Sequence, residues 1–163
     1  VAASHVVEVH VVAPLVGRAA TREDMAPFYW SLCEKGRRFT GIEHSNHVEQ
    51  VRVASRECLG RMAAWDMWLI PTVPMLPRVH GYYDMNLDCA TYDEKFMAPD
   101  CCYTLPFNAM GSPAISLPLA MSTEGLPIGV QFVGRDCDEA GLLRLAAQLE
   151  AARPWEQRRP SLG

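Results

Sequence analysis

The serines of Gly111-Ser112-Pro113-Ala114-Ile115-Ser116 are the first residues whose chemistry matters. A serine hydroxyl attacks a carbonyl only when a positioned base takes its proton. No G-x-S-x-G elbow surrounds Ser112, so it reads as a serine that opens a turn or strand. Ser116 falls on the small-residue face of a predicted strand and reads as a packing residue with a satisfied hydroxyl. Cys101 and Cys102, with His80 upstream, offer the parts of a thiol hydrolase, but cysteines without a depressed pKa are usually small core residues. His44 and His47, beside Glu43, have a helical spacing that can hold a metal. A structural zinc site needs four ligands and no second pair follows, so a solvated helix face is the better reading. Asn108, between Phe107 and Ala109, either fixes a loop or contacts a ligand. The loop-fixing role is favoured, because asparagine readily satisfies irregular backbone.

These residues need elements to position them. His5–Val12 is rich in valine and reads as a strand ended by Pro14 and Gly17. Thr21 with Asp24 marks a helix start; Met25, Phe28, Tyr29 and Leu32 recur at helical spacing. Pro27 forces a break or a new start within that pattern, and Gly36 ends it. A longer helix is expected from Ile42 to Ala64, with Val48, Val51, Ser55, Cys58, Leu59 and Met62 on one stripe. Trp68-Leu69-Ile70 reads as a short strand closed by Pro71. From Pro71 to Pro106 the chain reads as irregular, a length typical of functional loops.

The last third is the most regular. Ile115, Leu117, Leu119 and Met121 alternate on one strand, and Leu126, Ile128, Val130 and Phe132 on the next. Ser122-Thr123-Glu124-Gly125 is a hairpin turn between them. The opposite face carries mostly small residues, Gly129 among them, and expects another layer close by. A final helix begins at Asp136 or Asp138, buries Leu142, Leu145, Ala146 and Leu149, and stops before Pro154. Strands alternating with helices indicate an α/β chain with a mixed sheet flanked by helices, in one domain over residues 1–163.

Composition narrows the classes. With 163 residues, 49% apolar and 21% charged, and a net charge of -4, the chain has the balance of a folded globular protein. Lys35 and Lys95 are the only lysines and the arginines are scattered, which disfavours a nucleic-acid partner. The first residue is Val1, which suggests a chain cut from something longer; no signal peptide or transmembrane stretch is evident. The six cysteines lack CxxC spacing, which suits thiols in a reducing, cytoplasmic setting.

Three stretches together resemble the carboxy-terminal part of amidase-signature hydrolases. Asp66-Met67-Trp68-Leu69-Ile70-Pro71-Thr72-Val73-Pro74 is similar to the family's strand-to-loop "D-hydrophobic-P-T-x-P" segment. Thr104-Leu105-Pro106-Phe107-Asn108-Ala109-Met110-Gly111-Ser112-Pro113-Ala114-Ile115-Ser116-Leu117-Pro118 is similar to "T-x-x-F-N-x-x-G-x-P-A-x-S-x-P". Gly125-Leu126-Pro127-Ile128-Gly129-Val130-Gln131-Phe132-Val133-Gly134 follows in the family's order, and the resemblance is strongest over residues 60–160. It implies part of an enzyme that hydrolyses a carboxylic amide, sometimes an ester, using a serine nucleophile, a serine in a cis peptide and a lysine base, with no metal or organic cofactor.

The family places that catalytic set in a Gly/Ser-rich region upstream of everything matched. This sequence has no Gly-Gly-Ser-Ser run, and neither lysine sits in such a context. The expectation is therefore that the chain carries no catalytic residue. By resemblance, Thr72, Pro74, Phe107 and Asn108 face the substrate pocket. The expected partners are a small-molecule amide and the missing amino-terminal amidase segment, or else a second copy, with no nucleic acid and no membrane. Two rivals remain: a self-sufficient small serine or cysteine hydrolase or esterase, and a non-catalytic assembly or binding subunit of an amidase or amidotransferase.

Overall fold

Proline and capping residues set the boundaries of the first helices in the computed structural model, which describes residue 15 and residues 17–159. The valine-rich strand expected at His5–Val12 lies outside the described residues. Thr21 donates from its backbone N–H and its hydroxyl to Asp24 Oδ2, at 2.8 and 2.9 Å, but closes only a 3-10 turn, Arg22–Asp24. The Arg18 guanidinium also grips Asp24 and, with Thr21, holds its carboxyl far below the usual carboxylate range. Helix α1 (Pro27–Arg37) starts afresh with proline in its first turn, where the missing N–H costs nothing. Helix α2 (Gly41–Met62) opens on a capping box: Thr40 N–H donates to Glu43 Oε2 at 2.8 Å, and Glu43 N–H to Thr40 Oγ1 at 3.2 Å.

The described residues group into two compact units, one within residues 15–51 and 78–99 and the other within residues 52–77 and 100–159. In the first, the sequence that read as irregular is partly helical. Helix α3 (Cys89–Tyr92) runs into a π-type turn (Asp93–Met97) and a further turn (Ala98–Asp100). Phe28 and Leu32 of α1 pack on Cys89, Tyr92 and Phe96. Phe28 and Tyr92 ring centres lie 4.4 Å apart, and Tyr82 and Tyr83 meet Phe96 edge-on at 5.2 and 5.3 Å. Ser31 Oγ joins the elements by accepting from Cys89 N–H at 2.7 Å while donating to Phe28 O at 2.8 Å.

The second unit is a helix–sheet–helix sandwich. Strand β1 (Met67–Pro71) comes first, then helix α4 (Leu105–Met110), strands β2 (Ala114–Met121) and β3 (Pro127–Gly134), and helix α5 (Glu139–Ala152). The strand order is β1-β3-β2 and both pairings are antiparallel, so the expected mixed sheet is corrected to a small antiparallel one among the described residues. The reason is local: a tight turn joins β2 to β3, with Ser122 N–H bonded to Leu126 O at 2.8 Å and Gly125 at φ +78°, and β1 adds antiparallel to the other edge of β3.

The alternation read from sequence holds for Ile115, Leu117, Leu119, Val130 and Phe132; past a slip in register Met121 pairs with Pro127, and Met121 and Ile128 are exposed. Leu117 and Phe132, with Ile115 and Val130, pack under Leu142, Leu145 and Leu149 of α5. On the other face Val133 is fully buried against Met62 and Phe107. Register slips by one residue on β2 between Leu117 and Ala120, a stretch that includes Pro118, which has no N–H to give to a ladder. Asp138, rather than Asp136, caps α5 by accepting from Gly141 N–H at 3.0 Å.

Asp88 caps α3, accepting from Ala90 N, Thr91 N and Thr91 Oγ1, and these bonds, the Thr91 hydroxyl first, lower its pKa. Its folded pKa lies below its unfolded one, so the stabilisation is complete above the ordinary carboxylate range of about 4 and is lost as pH falls through the lowered value. Amide exchange at Ala90 and Thr91 is expected to accelerate in that acid window. In Asp88→Asn, which caps without ionising, the acceleration is expected to disappear.

Candidate substrate-binding site

Gly129 lies on the central strand, beneath side chains that reach over it from both flanking segments. Thr72 follows β1 directly, and its N–H donates to Gly129 O at 3.2 Å. Ser116 lies on β2, across from Gln131. Their hydroxyls meet above Gly129, Thr72 Oγ1 to Ser116 Oγ at 2.5 Å. A Cβ on Gly129 would stand 2.8 Å from Thr72 Oγ1 and 2.9 Å from Ser116 Oγ. Glycine is therefore required here for close approach, which is what the small-residue face suggested. Nearby, Gln131 is buried and donates from its side chain to Tyr103 O at 3.3 Å, tying the segment before α4 to the sheet.

Burial along β3 is graded. Gln131, Phe132, Val133 and Gly134 are buried, whereas Pro127 and Ile128 are exposed. At the exposed end a cleft of about 410 Å³ opens between the segment Pro71–Pro77, Tyr103 and the start of β3. Pro74 and Gly129 line this cleft; Thr72 is not in its lining, and its hydroxyl stands over Gly129. Phe107 stands elsewhere, buried in the core against Met62 and Val133. Asn108 is exposed on α4, and its side chain makes no hydrogen bond among the described residues, so it fixes no loop. Of the four residues named by resemblance, Pro74 lines the cleft, Thr72 stands over Gly129, Phe107 is buried in the core and Asn108 is exposed. The Thr72 hydroxyl's partner, Ser116, lies 44 residues away in sequence, and only the strand order reveals the pairing.

The other candidates have structural occupations. Glu43 is engaged in the α2 capping box, and His47 packs edge-on against Phe39 at 5.6 Å. Among the described residues no group of three or more His, Cys, Asp or Glu side chains is placed to hold a metal ion. Lys35 Nζ faces Asp93 at 4.0 Å and Lys95 is exposed. His80 belongs to the first unit, and Cys101 and Cys102 to the second. Ser112 Oγ is buried with no hydrogen-bond partner among the described residues, and Ser116 has a hydroxyl rather than a base as its partner. Neither is an activated nucleophile in this arrangement.

Residues 36–143 match the amidase family. The chain is 36% identical over 154 residues to the 6-aminohexanoate-cyclic-dimer hydrolase of Paenarthrobacter ureafaciens, covering 91% of this chain and 31% of that protein. It is 35% identical over 158 residues to the protein of the same name from Pseudomonas sp. (strain NK87), with the same coverage. A solved structure of 6-aminohexanoate cyclic dimer hydrolase superposes with a TM-score of 0.90 at 32% identity, over 98% of this chain and 34% of that one. A bacterial aryl acylamidase of the amidase signature family shares the fold, with a TM-score of 0.70 at 21% identity over 98% of this chain and 34% of that one. The chain belongs to the amidase family. It spans about a third of the length of these relatives.

Gly129→Ala is expected to force the Thr72 and Ser116 hydroxyls apart and cost about 1–3 kcal/mol in equilibrium unfolding. The larger Gly129→Leu is expected to cost more. An unchanged unfolding midpoint in both would show that the hydroxyl pair is not held against Gly129.

Proposed function

We propose that this chain forms the carboxy-terminal wall of an amide hydrolase that converts a carboxylic amide, or an ester, to acid and amine. In this reading the serine nucleophile, the cis-peptide serine and the lysine base lie outside its 163 residues. The observation that carries the proposal is 36% identity along 91% of the chain to a protein named as a hydrolase, of which the chain covers only 31%. Supporting it, the sequence has no Gly-Gly-Ser-Ser run, and neither Ser112 nor Ser116 has a basic partner among the described residues.

The partner in this reading is an amino-terminal amidase segment, with self-association as the substitute when that segment is missing. β1 and β2 are the edges of the described sheet, and edge strands present unpaired backbone to any chain that can add to them. A reducing, cytoplasmic setting suits the six cysteine thiols. No helix among the described residues is long and apolar enough to cross a membrane.

The chain alone is expected to give no saturable turnover of an unactivated aliphatic or aryl amide, because nucleophile, base and oxyanion site act as one unit. Turnover is expected when an upstream amidase segment is added. Saturable turnover by the chain alone, abolished by Ser112→Ala, Ser116→Ala or Cys101→Ala, would replace this reading with the self-sufficient hydrolase. Full association with the upstream segment but no turnover of any amide or ester would favour a non-catalytic subunit.

A further inference from the structure

The antiparallel pairing of β1 with β3 sets Met67 across from Gly134, so the residues just before β1 meet those just after β3. Arg135, 70 residues beyond Trp65, donates from Nε to Trp65 O at 3.3 Å, and its Nη2 lies 3.0 Å from Asp66 Oδ1. The end of α2 closes another side, with Trp65 N–H bonded to Met62 O at 2.9 Å. Between these segments lies a cleft of about 410 Å³, within the roughly 300–1,000 Å³ usual for small-molecule sites. It opens at the far end of β3 from Gly129, about 15 Å away at the rise of an extended strand.

The floor of this cleft is apolar. Val133 is fully buried and Met62 is buried, yet both line it, with Met67 and Trp68 beside them. Thioether and indole surfaces adapt to an alkyl or aryl group. The polar part of the lining is charged: two carboxylates, Asp66 and Asp136, and one guanidinium. Asp66 meets the Arg135 charge, and Asp136 has no ion pair among the described residues. Trp65 also lines the cleft and is 64% exposed. An indole face and a surplus carboxylate attract the same kind of group, a cation. An anion would meet the surplus carboxylate instead. A metal ion would find no group of three His, Cys, Asp or Glu side chains among the described residues.

We infer that this cleft binds an organic ammonium, its apolar tail against Met62, Met67 and Trp68 and its cationic head between Trp65 and the Asp136 carboxylate. Such binding is independent of any amide hydrolysis. Three probes share one phenethyl tail: phenethylammonium, phenethyl alcohol and 3-phenylpropionate. The readout is NMR of the 163-residue chain, following the indole N–H of Trp65 and Trp68 and the methyls of Met62 and Met67.

Phenethylammonium is expected to shift these signals saturably, the alcohol to bind at least about fivefold more weakly, and 3-phenylpropionate more weakly still. Asp136→Asn should weaken phenethylammonium at least about threefold and leave the alcohol within about twofold. Trp65→Leu should weaken phenethylammonium by a similar factor. Both residues are exposed, so the variants are expected to fold; Glu124→Gln, which removes an exposed carboxylate in the hairpin turn, should change nothing. Equal binding of the alcohol, tighter binding of 3-phenylpropionate, no binding of any probe, or insensitivity to Asp136→Asn would overturn the inference. So would changes at these signals from raising protein concentration alone, which give the cleft to a second copy. Loss of phenethylammonium on joining an upstream amidase segment would give the cleft to that segment and overturn it as well. Turnover gained or lost on joining that segment bears only on the hydrolase reading.

Discussion

The second unit depends on the two-sided burial of one strand. β3 alone among the described strands is paired on both edges, and its alternate residues feed different layers. Phe132 goes to the α5 side and Val133 to the side of Met62 and Phe107. A one-residue slip would exchange every such contact at once, so register is strongly specified. The same strand then emerges from its core. Beyond Gln131 the side chain disappears at Gly129, and Ile128 and Pro127 are exposed. The candidate site begins where the packing ends, with a rigid sheet behind it.

What was legible in the sequence was whatever repeats in phase. The alternation over 115–133 and the Leu142–Leu149 stripe gave the hairpin, its faces and the covering helix, because burial on one side writes a period into the chain. The small face around Gly129 could also be read, since only close approach makes small residues useful in a strand. The helical run from Cys89 was hidden for a local reason: its π-type turn at Asp93–Met97 breaks the 3.6-residue phase, and Pro99 argues against helix altogether. The Thr40–Glu43 capping box is legible in the sequence, and it occupies the Glu43 carboxylate that stands beside His44.

The site was legible only in part. Thr72 and Pro74 follow a strand; Pro74 lines a cleft there, and the Thr72 hydroxyl stands over Gly129, which also lines it. Phe107 lies beside Asn108 in sequence, yet α4 turns it into the core while Asn108 stays exposed. A motif read as a string treats neighbours as sharing a direction, whereas successive helical residues point about 100° apart. Ser116 reads as a packing residue with a satisfied hydroxyl, and Thr72 Oγ1 at 2.5 Å satisfies it; the partner's identity is visible only with β3 placed between β1 and β2.

The central claim is the proposed division of labour, in which this chain supplies part of an amide hydrolase and the bond-breaking residues lie elsewhere. Single-turnover hydrolysis of one unactivated aliphatic amide, by the chain alone and by the chain joined to an upstream amidase segment, tests it most directly. Cleavage is expected only in the joined protein, because nucleophile, base and oxyanion site act as one unit. Equal cleavage by the chain alone would contradict it.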